Sequence, residues 1–443
     1  MTNVKSRFAP SPTGRLHIGN IRTAIITWLF VKSQGGEYML RIDDTDRERS
    51  KDEYTQAIKE DLTWLGLTWD DKAHQRDRED RYAECIEQLK KDGRLYACYE
   101  TEEELALKRK SLLGRGLPPI YDRAGLELSD AQKDKFEAEG RTPHWRFKLN
   151  HEPIIWNDLV RGEVAFHGKD MSDPVLIRND GTPLYHICSV IDDIDFGITH
   201  VVRGEDHVSN TAAHIQMTEA LGGNVPNFAH LSLITDAEGG KLSKRLGSLS
   251  IQELRENEGL EPMSIISLLS RLGTSAPVEA MMSLEEAAKD FDFSKFSRGA
   301  PKFDPQDLYR LNAKILHTLS YADVKDRLPE GIDENFWNAV KPNLEKLSDI
   351  DSLAQIVNGP VEPVIDDQDY IQEAAELLPS DPWTKETWSA WVSSIKDKTG
   401  RKGKDLFMPL RLALTGQQHG PELADMLPLI GRERALNRLK KSA

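Results

Sequence analysis

Residues 7–20 read Arg7-Phe8-Ala9-Pro10-Ser11-Pro12-Thr13-Gly14-Arg15-Leu16-His17-Ile18-Gly19-Asn20. Arg7-Phe8-Ala9 suits a short strand, and the breaker cluster from Pro10 to Gly14 ends it. Apolar side chains then recur at Ile21, Ala24, Ile25, Trp28 and Leu29, the spacing of one helix face. Gln34-Gly35-Gly36 closes that helix. Tyr38 to Ile42 reads as the next strand, with Asp43-Asp44-Thr45-Asp46 at its C-terminal end, and a second amphipathic helix carries Ala57, Ile58, Leu62, Trp64 and Leu65. Strand, helix, strand, helix predicts a parallel sheet with right-handed crossovers. In such sheets ligands bind beyond the carboxyl ends of the strands, where both polar clusters fall.

Regularity weakens from Tyr82 to Pro183. A charged helical stretch (Thr101 to Leu113) gives way to strand-like pieces at Trp145 to Leu149 and Val175 to Arg178, which predicts an α+β insertion. Strand character returns at Ile198 to Val202 and ends in Arg203-Gly204-Glu205-Asp206. A helix from 209 to 221 follows, with Ser209 or Asn210 as its N-cap. Next come a strand from Ala229 to Ile234, a turn from Asp236 to Gly240, and Lys241-Leu242-Ser243-Lys244-Arg245. From Ile251 onward the periodicity is mainly helical, with prolines at expected boundaries.

The 443 residues suggest about three domains. With 39% apolar and 30% charged residues, whole-chain disorder is excluded. No stretch approaches the ~20 apolar residues of a membrane span, and no basic-then-apolar leader opens the chain. Three cysteines (Cys85, Cys98, Cys188) cannot form a disulfide framework and predict buried thiols in a reducing, cytoplasmic setting. The net charge of −15 argues against a uniformly basic nucleic-acid coat. Its distribution is uneven: Gly331 to Trp388 carries a net of −10, and Lys396 to Ala443 a net of +6. That end is either an ordinary solvated helical surface or an RNA-facing patch.

Three clusters carry chemistry. A helix opening after a strand at His17-Ile18-Gly19-Asn20 offers unpaired N–H groups and partial positive charge to an anion, and Gly19 lets a flat base or phosphate approach the backbone. Three cations in the five residues from Lys241 to Arg245 suit a clamp on a polyphosphate. Arg203, at a strand end, offers a planar fork to a carboxylate, as does Arg7. Each cluster alone also has an ordinary structural explanation: a capping histidine, a solvated loop, a surface ion pair.

Their order and spacing change that. The APSPTG segment, H-I-G-N, R-I-D-D-T-D at 41–46, V-V-R-G-E-D-H at 201–207 and K-L-S-K-R at 241–245 together resemble the class I aminoacyl-tRNA synthetases, and among them the glutamyl-tRNA synthetases. The resemblance spans essentially the whole chain, including Pro409 to Gly416 and Leu429 to Leu436. It implies a multidomain α/β protein. A Rossmann-like parallel-sheet catalytic domain is split between 1–82 and 184–239. An α+β insertion at 83–183 binds the tRNA acceptor end. A stem-contact domain at 240–312 carries the basic loop at its start, and an all-α anticodon-binding domain spans 313–443.

The reaction implied is ATP- and Mg²⁺-dependent ligation of L-glutamate to the 3′ end of tRNA through glutamyl-adenylate. His17, Lys241 and Lys244 take the catalytic roles. Thr13, His17, Gly19, Asn20, Glu205, Leu233, Ile234, Ser243 and Lys244 frame ATP. Arg7, Ala9, Ser11, Asp43, Tyr185, Ser189 and Arg203 hold glutamate. Arg7 is favoured for the side-chain carboxylate and Arg203 for the α-carboxylate, though the two could be exchanged, and Asp43 would take the ammonium. Arg401, Lys402, Lys404 and Arg411 face tRNA. Asn20 stands where the general class has histidine. Asp43 stands where the resemblance leads one to expect glutamate, and the glutaminyl relatives carry aspartate at that position. Some members hold zinc in the insertion, but Glu100 replaces the second cysteine and 121–128 lacks Cys and His, so no zinc is expected. A monomer is the family default. The alternatives are a glutaminyl-tRNA synthetase, disfavoured by the helical C-terminal reading, and a scaffold without catalysis, disfavoured because His17, Arg203 and Lys244 are intact.

Overall fold

The computed structural model describes residues 3–236, 238–240 and 250–440. Its first compact unit comprises Met1–Leu254 with Ile266–Asp304, and its second Arg255–Ile265 with Pro305–Ala443. The strands of the first unit are β1 (Lys5–Phe8), β2 (Glu37–Ile42), β3 (Asp71–His74), β4 (Leu95–Cys98), β5 (His144–Phe147), β6 (Pro153–Asp158), β7 (Gly162–His167), β8 (Val175–Ile177), β9 (His200–Gly204) and β10 (Asn227–Leu231). Its longer early helices are α1 (Ile18–Ser33), α2 (Asp52–Trp64), α3 (Glu79–Lys91), α4 (Glu102–Gly114), α5 (Asp130–Ala138), α6 (Tyr185–Asp195) and α7 (Val208–Ala220).

Five strands form one sheet in the order β10-β9-β1-β2-β3, and every adjacent pair is parallel. Parallel strands are covered on both faces and read as continuous apolar runs. Accordingly every residue of β2 from Tyr38 to Ile42 is buried, and α1 packs with Ile18, Ile21, Ala24, Ile25, Ile26, Leu29 and Val31 inside. The chain leaves β1 to one side through β2 and returns on the other through β9. The crevice beyond the carboxyl ends of β1 and β9 is therefore the topological switch point where such sheets bind ligands.

Between the two halves of the sheet lie an antiparallel sheet ordered β4-β5-β8 and the hairpin β6–β7. The helix α4 begins with the capping box of Thr101 and Glu104, which satisfies two of the N–H groups orphaned at a helix start. The second unit is helical, around a core that includes Trp337, Trp391, Leu410, Leu427 and Ile430. The two buried indoles donate to the carbonyls of Leu319 and Ala374. No described helix is long and apolar enough to cross a membrane.

Local expectations differ in three places. The helix α7 is flanked by His207 and lacks a side-chain cap, so neither Ser209 nor Asn210 is its N-cap. A 3₁₀ turn at Glu205–His207 runs directly into it. The last strand stops at Leu231, which leaves Ser232 to Ile234 as a loop at the cavity. Pro409 and Pro428 lie inside the helices Lys404–Thr415 and Leu423–Ile430 rather than at their ends. Each costs a backbone hydrogen bond. The buried Leu406, Leu410 and Leu414 around the first, and Leu423, Leu427 and Ile430 around the second, supply apolar burial that offsets it.

Candidate active site

A cavity of about 750 Å³ opens at the switch point. Its walls are the loop after β1, the start of α1, the ends of β9 and β10, and Tyr185 of α6. Arg7, Ala9, Ser11, Thr13, His17, Gly19, Asn20, Tyr185, Arg203, Leu233 and Ile234 all line it. Stretches separated by more than 200 positions thus meet in one space. Phe8, Arg22, Asp206 and His207 also line it, although the sequence reading gave them no role. Asp206 and His207 close the strand-end arginine motif at 201–207, so position could have found them.

One half of the cavity is built on the α1 start. The ring of His17 accepts a hydrogen bond at Nδ1 from the N–H of Gly19, at 3.1 Å. The neutral ring then carries its proton on Nε2, a donor without an acceptor among the described residues, and desolvation lowers its pKa and favours that neutral form. A Cβ on Gly19 would come within 3.1 Å of His17 Cε1, so glycine is set here by the ring as well as by access. Glu205 does not line the cavity. One of its oxygens accepts from the N–H of Leu233 (3.1 Å) and the other from Arg161 (2.7 Å). It shapes the loop from Ser232 to Ile234 from behind, and Leu233 stays 48% exposed, an apolar face at the cavity.

The other half has two arginines in opposite electrostatic settings. Arg7 is paired with Asp193 through Nε (2.9 Å) and Nη2 (3.2 Å). Arg41 lies below it, fully buried, and holds Asp193 (2.7 Å), both oxygens of Asp43 (2.7 and 3.2 Å) and the Ser189 hydroxyl (2.8 Å). Asp43 and Ser189 are therefore not in the cavity wall. Arg41, two residues before Asp43, turns that carboxylate inward. Arg203 is also buried, yet its contacts are all formally neutral: His230 Nε2 (3.2 Å), Thr211 Oγ1 (2.7 Å), Tyr185 OH (3.4 Å) and His214 Nδ1 (3.5 Å). Among the described residues it has no carboxylate partner. Burial lowers its pKa, and an anionic ligand would relieve that cost.

Lys241, Ser243 and Lys244 lie outside the described residues. In the second unit, Arg401 is tied to Asp367 and stacks over Tyr370 at 4.0 Å. Arg411 donates to the carbonyl of Pro421. Lys402 and Lys404 are exposed.

Cys85, Cys98 and Cys188 are free and buried. Cys98 belongs to a cluster the sequence reading missed. Its thiol, a Glu100 oxygen and a His144 ring nitrogen lie within 4.8 Å of one another. The third donor comes from β5, 46 positions beyond Cys98. The donor set fits structural zinc poorly, because such sites take four ligands. Burial pushes the Cys98 thiol up to about 11. The same Glu100 oxygen already accepts from Tyr121 (2.9 Å) and Lys108 (3.2 Å). A Cβ on Gly125 would stand 2.7 Å from the Cys98 sulfur, so on that side the backbone leaves the thiol no room for another ligand.

The parallel sheet, the helix start facing the cavity and the arginines at the strand ends define a class I aminoacyl-tRNA synthetase catalytic core. The family model for the catalytic domain of class I tRNA synthetases (E and Q) matches residues 3–310, and the anticodon binding domain model matches residues 317–443. The glutamate–tRNA ligase of Azospirillum brasilense is 55% identical over 436 residues, with 98% of each chain covered. Glutamate–tRNA ligase 1 of Maricaulis maris is 53% identical over 442 residues, with 99% of each covered. The crystal structure of a glutamate tRNA ligase from Elizabethkingia meningosepticum in complex with its amino acid superposes with a TM-score of 0.86 at 30% identity, covering 99% of this chain and 98% of that one. The chain belongs to the glutamyl-tRNA synthetase family.

Proposed function

We propose that this protein joins L-glutamate to the 3′ end of tRNA in two steps. The α-carboxylate of glutamate attacks the α-phosphate of Mg–ATP, giving glutamyl-adenylate and pyrophosphate. A ribose hydroxyl of the tRNA terminus then takes the glutamyl group and releases AMP. The observation that carries this reading is one cavity lined both by Arg203, which has no carboxylate partner among the described residues, and by the donor-rich start of α1. Phosphoryl transfer depends on positioning and charge neutralisation. His17 Nε2–H, the N-terminal amides of α1 and the lysines Lys241 and Lys244 supply those donors, with Ser243 beside them. Thr13, Gly19, Asn20, Leu233 and Ile234 frame the nucleotide.

Arg203 and Tyr185 receive one glutamate carboxylate, and Arg7 the other, with Ala9 and Ser11 lining the space between. Asp43 acts on the ammonium only if Arg41 yields one of its oxygens, and Ser189 acts through Arg41. The segment 83–183 receives the acceptor end, 240–312 the stem and 313–443 the anticodon, with Lys402 and Lys404 the readiest phosphate ligands. The protein works as a cytoplasmic monomer. The Cys98 cluster is metal-free, and metal analysis of the purified protein returning less than ~0.1 zinc per chain, against the one per chain of a structural site, would agree. Charging of purified tRNA-Glu and tRNA-Gln with labelled glutamate tests the main reading. Glutamate must appear on at least one of them, and glutamine on neither.

A further inference from the structure

The hairpin turn at Asp158–Gly162 reaches the ends of both β9 and β10. The N–H of Leu159 donates to the carbonyl of Phe228 at 2.8 Å, and Arg161 holds Glu205. Asp158, buried, holds His230: its Oδ2 lies 2.5 Å from His230 Nδ1, and its Oδ1 accepts from the N–H groups of Val160, Arg161 and His230. Those hydrogen bonds hold the Asp158 carboxyl below its usual range, against the opposing effect of burial, so it is an anion. An anion at Nδ1 fixes the proton there and leaves Nε2 as an acceptor. That acceptor receives Arg203 Nε–H at 3.2 Å, and the Thr211 hydroxyl, which itself accepts from Arg203 Nη2, lies 2.9 Å from it.

We infer that Asp158 and His230 are positioning residues for Arg203. The carboxylate selects the imidazole tautomer that orients the guanidinium toward the amino-acid substrate without neutralising it. The inference rests on the reading that Arg203 holds a glutamate carboxylate. A carboxylate placed directly on Arg203 would orient it equally well but would compete with the substrate. A neutral imidazole between the two charges keeps the geometry and leaves the positive charge available.

Asp158→Asn tests this with almost no change of shape. An amide at that position donates to Nδ1 and moves the imidazole proton to Nε2, where it turns to Thr211 Oγ1 and leaves Arg203 Nε–H without its acceptor. The Michaelis constant for glutamate should rise about 10- to 100-fold, the range for one hydrogen bond to a charged group. Its value for ATP and kcat should stay within about threefold. His230→Leu should behave alike, and His230→Gln, which offers an amide oxygen to Arg203, should recover part of the loss. Arg203→Lys is the reference. If it raises the glutamate constant while Asp158→Asn and His230→Leu do not, the positioning role is overturned and the function stands. If Arg203→Lys itself leaves glutamate binding unchanged, the reading beneath it fails. A parallel decline of kcat and both Michaelis constants in Asp158→Asn and His230→Gln would mark general structural damage and also overturn the inference.

Discussion

Two buried arginine environments lie under one cavity, and they are built on opposite principles. Around Arg41 the charges are matched: Asp43, Asp192 and Asp193 surround it, with Arg7 and Arg78 sharing those carboxylates. Around Arg203 the partners are two imidazoles and two hydroxyls. A matched network gives rigidity, and its one cavity-lining member, Arg7, already held by Asp193, gains less from a ligand carboxylate than an unmatched cation does. An unmatched buried cation costs stability and repays it when an anion arrives. The difference separates the scaffold of the pocket from its binding end.

The comparison breaks most readily at its charged end. Asp193→Asn removes a partner from Arg7 and Arg41 together and should cost about 3–5 kcal/mol of stability, as loss of one member of a buried pair does. Urea denaturation would measure it. At the other end, Arg203→Ala should lose roughly 2–5 kcal/mol of transition-state binding, read as kcat/KM for glutamate. It should leave the unfolding midpoint unchanged or raised, because it removes an unpaired charge. If Arg203→Ala destabilised the fold as much as Asp193→Asn, the contrast would vanish.

Acid sharpens it further. Burial is the main cause, with Arg203 adding to it, that pushes His186 down to about 4 and His214 well below its usual value. Burial lowers His207 and His230 as well. Unfolded, these imidazoles take up protons near pH 6.5, while folded His186 waits until about pH 4 and the other three also resist protonation. The unfolded state therefore binds more protons as pH falls from 6.5 toward 4, and stability drops in that window. Each group contributes up to about 1.4 kcal/mol per pH unit. Unfolding followed by near-UV circular dichroism between pH 7 and 5 should show that slope, and His186→Gln should flatten it.

The smallest expected effect is in the second unit. Lys402→Ala with Lys404→Ala should lower the salt dependence of tRNA binding, by about 0.7 in log–log slope for each phosphate no longer neutralised. Glutamate binding should be untouched.

The sequence revealed what is local. Breakers at Pro10 to Gly14, the helical spacing from Ile21 to Leu29 and arginines at strand ends placed most of the cavity wall, because each signal lies within a few positions. Hidden were groups that matter only through distant partners. Nothing near His230 announces Asp158, 72 positions earlier, and nothing near Cys98 announces His144. Asp43 was visible as a strand-end carboxylate, but its capture by Arg41 depends on burial that no spacing reveals. Pro409 and Pro428 misled because tertiary packing outweighs a single missing backbone hydrogen bond.

The central claim is that one cavity brings glutamate and ATP together for transfer to tRNA. Isotopic ATP–pyrophosphate exchange with tRNA present tests it most directly. The account predicts exchange that requires glutamate, ignores glutamine and falls on the order of 10²-fold or more in Lys244→Ala. Exchange supported by glutamine, or none with either amino acid, would contradict it.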